Sequence, residues 1–358
     1  MAGLRPDQQD EFVRNTLPVF MKDKWKDLSL DRQYYLVAER FLSEKKMQVS
    51  GGQYLQEQIQ VRNTGTYEHT HWFGVSKSKI VDLTQTVQVP WAMARVSWAY
   101  SIYEDAWQQG PQKILSMIAV RKHAMYNDLM DGMETDFFSK PSGPDQTPAA
   151  PYGWAYWFPA PSVGNKAFHQ NTNLPAGFTD VAGLNPQTYS QWAPAGFVAT
   201  NYSQGDFFKK LAECIDKCHY RPPNNYAEID GGKPNYMLHT TYKVVQKFHD
   251  QQVMSNDQFR MDVGRYRNTV LFRGIPVRWE PALTNSNSPV YDSLNQIRGI
   301  SWKTYKMIFK SGYDRFQHPP MSDMDQPGVR RMFMDSQWNW INTDRRQNFS
   351  GYCTEVLN

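Results

Sequence analysis

Cysteine is scarce in this chain. Three residues in 358, Cys214, Cys218 and Cys353, are too few and odd in number for a disulfide-stapled secreted scaffold, so a reducing compartment is expected. Long apolar runs are missing too. No stretch of about 18 apolar residues occurs, and no helical membrane span is expected. The opening MAGLRPDQQDEF lacks the apolar stretch of a signal peptide, which points to a soluble protein made in a cytoplasm. No sign of charge dominates: the formal net charge is +4, without the concentrated basic stripe of a nucleic-acid reader.

Catalytic signatures are equally absent. There is no G-x-S-x-G elbow, phosphate loop, G-x-G-x-x-G or H-E-x-x-H. Cys214 and Cys218 stand four apart on an expected helix beside His219, but no C-x-x-C accompanies them, so buried thiols are expected rather than zinc ligands. Glu68-His69-Thr70-His71 puts two imidazoles on one face of an expected strand, read as polar surface ahead of a metal site. Asp323 and Asp325 lack the spacing of a calcium loop. Arg330, Arg331, Arg345 and Arg346 form two pairs, read as a solvated or intersubunit salt-bridging face, with phosphate contact as the alternative. No catalytic, cofactor-binding or metal residue is assigned, and an enzyme is not expected.

What is abundant is apolar and aromatic matter. Apolar residues make up 40% of the chain, enough for a core, and aromatics reach 14%, with 12 Trp and 20 Tyr. Trp and Tyr are favoured where an apolar body meets a wet edge, subunit interfaces included. Gly110 and Pro111 open, and Pro141 closes, a segment with helical spacing of Leu115, Ile118, Met125, Leu129, Met133 and Phe137. This spacing predicts one long helix over 112–138 with those six residues as its core face.

Before the helix the pattern is extended. Tyr54 to Val61 alternates as a half-buried strand does, Asn63-Thr64-Gly65 reads as a turn, and Thr66 to Gly74 is expected to return along the first strand. Val87, Val89, Trp91 and Met93 share one face, then Val96, Trp98, Tyr100 and Ile102, and the slip between Met93 and Val96 predicts a bulge there. A two-stranded ribbon is marginal alone, so it must lie on the long helix or on a neighbouring copy. Tyr54, Ile59, Val61, Tyr67, Trp72 and Trp91 are the candidate intersubunit residues. Later come a turn-rich aromatic stretch to Gln204, a helix from Asp206 with Phe207, Leu211, Cys214, Ile215 and Cys218 inward, and a helix from Tyr242 with Val245 and Phe248 inward. Strands are expected over 269–279, interrupted by Gly274, and over 299–309, with a hairpin over 329–341 turning near Asp335-Ser336-Gln337. Without regular βαβ alternation, this is an α+β layout.

The order of parts, with the runs IVDLTQTVQVPWAMARVSWAYSIYEDAW, PYGWAYWFPAP, NTVLFRGIPVRWEPAL, FKSGYDRFQHPPM and RRQNFSGY, resembles the tailed-phage major capsid protein of Hong Kong 97-type fold. The resemblance implies an N-terminal arm (1–46), an extended β loop (47–105), the spine helix of the peripheral domain (106–141), an axial domain (142–299) and peripheral-domain strands (300–358). It implies a virion subunit assembled in the host bacterial cytoplasm, packing with itself as hexamers and pentamers. Its partners would be a portal protein, a separate scaffolding protein or none, a decoration protein in some relatives, and packaged double-stranded DNA by non-specific proximity, with no membrane partner. The Lys–Asn crosslink of some relatives would involve the region of Lys77 and Lys79, where paired lysines are also ordinary ribbon residues. Two rivals stay open: an encapsulin-like nanocompartment shell, and a monomeric carbohydrate-binding or hydrolytic protein using Trp and Tyr as sugar platforms.

Overall fold

The computed structural model describes residues 35–42, 47–72, 74, 80–103, 117–161, 169–218, 236–256, 270–284, 296–322, 326 and 328–355. Expectations for Leu115, the opening of the long helix, Lys77, Lys79, His219, Asp323 and Asp325 fall outside these residues.

In chain order the strands are β1 (Met47–Val49), β2 (Tyr54–Gln60), β3 (Thr84–Pro90), β4 (Ala92–Ser101), β5 (His169–Gln170), β6 (Ala195–Ala199), β7 (Tyr236–Thr240), β8 (Val270–Phe272), β9 (Ile275–Trp279), β10 (Gln296–Ser301), β11 (Tyr305–Lys310), β12 (Phe316–Gln317), β13 (Met321–Ser322), β14 (Val329–Asn342) and β15 (Phe349–Cys353). The helices are α1 (Met117–Phe138), α2 (Trp154–Trp157), α3 (Lys209–Cys218), α4 (Tyr242–Asn256) and α5 (Pro281–Thr284).

Among the described residues these strands form three sheets. A seven-stranded mixed sheet runs β5-β6-β15-β10-β7-β9-β8. A six-stranded sheet is built around β14, which pairs with β4 along ten residues on one side and with β11, β12 and β13 on the other; β1 joins beyond β11. The third sheet is the ribbon β2–β3.

The central strands of the seven-stranded sheet are buried on both faces, as strands covered on both sides should be. Leu238 and Ile297 face one core, shared with Phe207, Leu211, Cys214, Val244 and Phe248 of the α3 and α4 region. Met237 and Ile300 face the other, which holds the inner side of α1, the six-stranded sheet and the ribbon base. Two close cross-strand approaches set this sheet: Gly299 lies opposite Phe349 and Gly351 opposite Phe197, and a Cβ on either glycine would enter the facing ring.

On α1, Met125, Leu129, Met133 and Phe137 are all buried, so a 3.6-residue stripe faces the core. Their packing partners include Trp154 and Trp340, whose rings each lie 5.5 Å from that of Phe137. Ile118 lies in α1.

Several expected elements differ. The strand expected over 299–309 is two strands in different sheets: β10 ends at Ser301 and β11 starts at Tyr305. The crossing is pinned by buried Asn348, which accepts Ser301 N at 2.7 Å and donates to Thr304 Oγ1 at 3.1 Å. The hairpin expected over 329–341 is one unbroken strand, because β4 pairs straight across Asp335-Ser336-Gln337. The strand over 269–279 is itself a hairpin, turning at Arg273 and Gly274, both at positive φ. β15 belongs to the seven-stranded sheet, whereas β11 to β14 lie in the six-stranded sheet.

Candidate assembly surface

β2 and β3 pair in register from Tyr54↔Pro90 to Gln60↔Thr84, and Val61 N extends the ladder to Leu83 O at 3.0 Å. The strand returning along β2 is therefore β3, not Thr66 to Gly74. One face of the ribbon carries Leu55, Val61, Val87 and Val89, all buried in the α1 core, with Ile59 packed at its margin. Buried Val61 is thus removed as a surface for a neighbour: its own body covers it. The junction is held by Asn339, fully buried, which donates to Pro90 O at 2.7 Å and accepts Tyr152 N at 2.8 Å. Gln88 N also bonds Ala182 O at 2.9 Å.

The slip in alternation falls at Pro90–Trp91, not between Met93 and Val96. Val89 faces inward, and so do Ala92, Ala94, Val96 and Trp98, while Met93 is exposed. Pro90 cannot continue the ladder as a donor, and Trp91 turns its indole N–H to Gly52 O at 3.0 Å, half-buried.

Beyond Val61 the chain changes character. Every residue from Arg62 to Trp72 is exposed, with Tyr67 87% and Trp72 97% accessible, and Ile80 is fully exposed. Tyr54 stands 42% exposed on the ribbon's outer face. His69 and His71 lie in this irregular loop rather than on a strand, and among the described residues no group of three His, Cys, Asp or Glu could hold a metal. Tyr67, Trp72 and Ile80 thus leave apolar area in water on one loop, which makes them candidates for contact with another molecule.

The six-stranded sheet offers a second exposed face. Met93, Phe316 and Met321 are about half exposed there, beside Arg95. Beneath them Asp335 is nearly fully buried and accepts Arg95 Nε at 2.7 Å and Arg95 Nη2 at 2.9 Å. His318 Nε2 lies 2.8 Å from Asp335 Oδ2, the oxygen that also accepts Arg95 Nη2. The hydrogen-bonded Arg95 guanidinium holds the Asp335 carboxyl below the usual carboxylate range.

The four arginines do not form one face. Arg330 and Arg345 sit at opposite ends of β14, roughly 40 Å apart at 3.3 Å per strand residue. Arg330 donates to Ser322 Oγ, Arg331 is exposed opposite Ala99, and Arg346 pairs with Asp344 at 3.0 Å. Arg345 is fully buried, which corrects its placement on a solvated or phosphate-binding face. Its Nε and Nη2 donate to Trp157 O at 3.1 and 2.8 Å, and Nη1 to Trp192 O at 3.1 Å. Carbonyl oxygens thus satisfy this guanidinium, and it ties α2 to the start of β15.

No protein-family model and no curated protein matches this sequence. Solved structures do. The chain is similar to the cyanophage A-1(L) capsid subunit at 9% identity and a TM-score of 0.60, covering 92% of this chain and 94% of that one. The capsid of a native GTA particle matches at 8% identity and 0.56, over 99% and 100%. That of the myovirus XM1 matches at 10% identity and 0.52, over 99% and 100%. The chain has the Hong Kong 97-type capsid fold.

Sequence reasoning missed Asn339, Asn348 and the Arg95–Asp335–His318 cluster. None has a local signal, because each works through partners remote in sequence. The cross-strand pairing of Arg95 with Asp335 could have been found only once β4 and β14 were known to be neighbours.

Proposed function

We propose that this chain is the major capsid protein of a tailed double-stranded DNA bacteriophage. It assembles as hexamers and pentamers into an icosahedral shell enclosing the genome, built in the host bacterial cytoplasm and ending in the virion. The observation that carries this reading is a ribbon whose base is buried and whose loop is not. Leu55, Val61, Val87 and Val89 anchor it, while Tyr67, Trp72 and Ile80 stand in water. On a fold matching shell subunits over nearly its whole length, such a loop has its natural cover on the adjacent copy. Closed symmetry then repeats one modest contact many times. The mild net charge of +4 suits a shell around packaged DNA, since a strongly basic lining would hold the genome by counterion release. In this reading a portal protein occupies one vertex, and scaffolding or decoration proteins act as separate chains.

Negative-stain microscopy of the purified protein tests this. Closed particles are expected, and Tyr67→Ser combined with Trp72→Ser should abolish them while the melting temperature stays within the roughly 0.5 kcal/mol equivalent of a surface change. A chain that remains monomeric near 41.7 kDa at high concentration would overturn the proposal.

A further inference from the structure

A cavity of about 520 Å³ opens beside the seven-stranded sheet, between the end of α2, the start of β10 and the turn-rich stretch 173–176. Gln296 and Arg298 stand two apart on β10, so they share a face, and both are more than nine-tenths buried. Arg298 Nη2 donates to Gln296 Oε1 at 2.6 Å, and the guanidinium carbon lies 5.3 Å from the centre of the buried Trp154 ring. Lys140, just past the end of α1, lines the same cavity and donates to Ala176 O at 2.9 Å. The geometry points to a binding site for a small phosphate monoester, with Arg298 and Lys140 holding the phosphate group and Leu174 and Ala160 meeting the organic part.

Charge chooses the sign of the ligand. Among the described residues lining the cavity, two are cations and none is Asp or Glu. Taking a guanidinium out of water is costly, and an anion brought beside it offsets that cost. A phosphate monoester carries roughly −1.5 to −2 charges near pH 7, which two cations match and a single carboxylate does not. Gln296 adds to this preference. Its Oε1 is taken by Arg298, so the end of the amide left for a ligand is the Nε2 donor. Size chooses the rest. Small-molecule clefts run from roughly 300 to 1,000 Å³, and this cavity falls in that range, with more room than a bare phosphate fills.

The walls are set before any ligand arrives. Asn171, fully buried, donates Nδ2 to Pro159 O at 2.7 Å and accepts Asn173 N at 3.2 Å. Asn173 Nδ2 donates to Ala160 O at 2.8 Å, and Ser350 Oγ to Pro159 O at 3.1 Å. These bonds tie the stretch after α2 to the stretch 173–176 and to β15. Binding therefore orders little of the chain, which leaves more of the contact energy as affinity.

Titration calorimetry on the full-length chain tests this, with inorganic phosphate and phenyl phosphate as probes and sodium chloride holding the ionic strength constant. Both probes are expected to bind saturably at one site per chain, phenyl phosphate the more tightly. Lys140→Ala should weaken both roughly tenfold or more, the loss expected for one hydrogen bond to a charged group. Lys140→Arg, which keeps the charge, should restore most of the affinity. Arg298→Lys keeps a charge but loses the planar fork, and should also bind more weakly. The readout is binding to the subunit, so it does not depend on shell formation. No saturable binding of either probe, an effect reproduced by chloride, or unchanged affinity in Lys140→Ala would overturn the proposal. Equal affinity for the two probes would overturn the assignment of an organic part.

Discussion

The seven-stranded sheet and the ribbon use the same material to opposite ends. In the sheet, β6, β7, β10 and β15 bury every residue, and two helices and the α1 core close both faces. In the ribbon only one face is closed, and the loop beyond Val61 presents Tyr67 and Trp72 to solvent. Where strands have neighbours on both sides, apolar area is removed from water within one chain, at about 25 cal/mol for each Å². Where they do not, the same aromatic area is left for another molecule. Stability is concentrated in the first region, and the assembly contact proposed above falls on the second.

The sharpest way to break this contrast is to disrupt the shared core. Met125→Asp puts a carboxylate at a 2% exposed position on α1, and a buried unpaired charge costs several kcal/mol. Loss of the cooperative melt is expected, and an unchanged melting temperature would show that this face is not core. Gly351→Ala tests the sheet alone. Its Cβ would enter the Phe197 ring, and overpacking of this kind costs about 1–3 kcal/mol, read as a lowered denaturant midpoint. The smallest effect belongs to the exposed sheet face. Because Arg95 lowers the Asp335 pKa, that contribution is present above the ordinary value of 3.8 and is lost as pH falls through the lower folded value. Asp335→Asn should remove this part of the acid sensitivity, seen as a shallower fall in melting temperature below about pH 4.

Glu134 works in the opposite sense. A carboxyl raised by burial favours the folded state as pH falls from about 7 toward 4.5, whereas Asp335 withdraws stability only below that range. The two windows do not overlap, so a melting-temperature profile separates them.

Some of this was legible in local pattern. The inward faces of α1 and α3 follow from helical spacing: Met125, Leu129, Met133 and Phe137 on one, Leu211, Cys214, Ile215 and Cys218 on the other. The alternation of β2 and the two-phase run through β3 and β4 were also readable. Breaks between strands were not. Trp302-Lys303-Thr304 carries no Gly or Pro because Asn348, remote in sequence, holds that turn from outside. Asp335 reads as a turn residue but lies mid-strand, because Arg95, 240 positions away, neutralises it. Arg345 reads as surface charge and is buried because two tryptophan carbonyls converge on it.

The sequence by itself determined periodicity, and with it the helix faces, the half-buried ribbon strands and the abundance of aromatic side chains. Tertiary structure alone decided which strand pairs with which, where β10 gives way to β11, and which charged residues are buried. The reason is physical. Side-chain spacing is set by the local backbone, while the cost of burying a polar group depends on partners that only folding brings within hydrogen-bond distance.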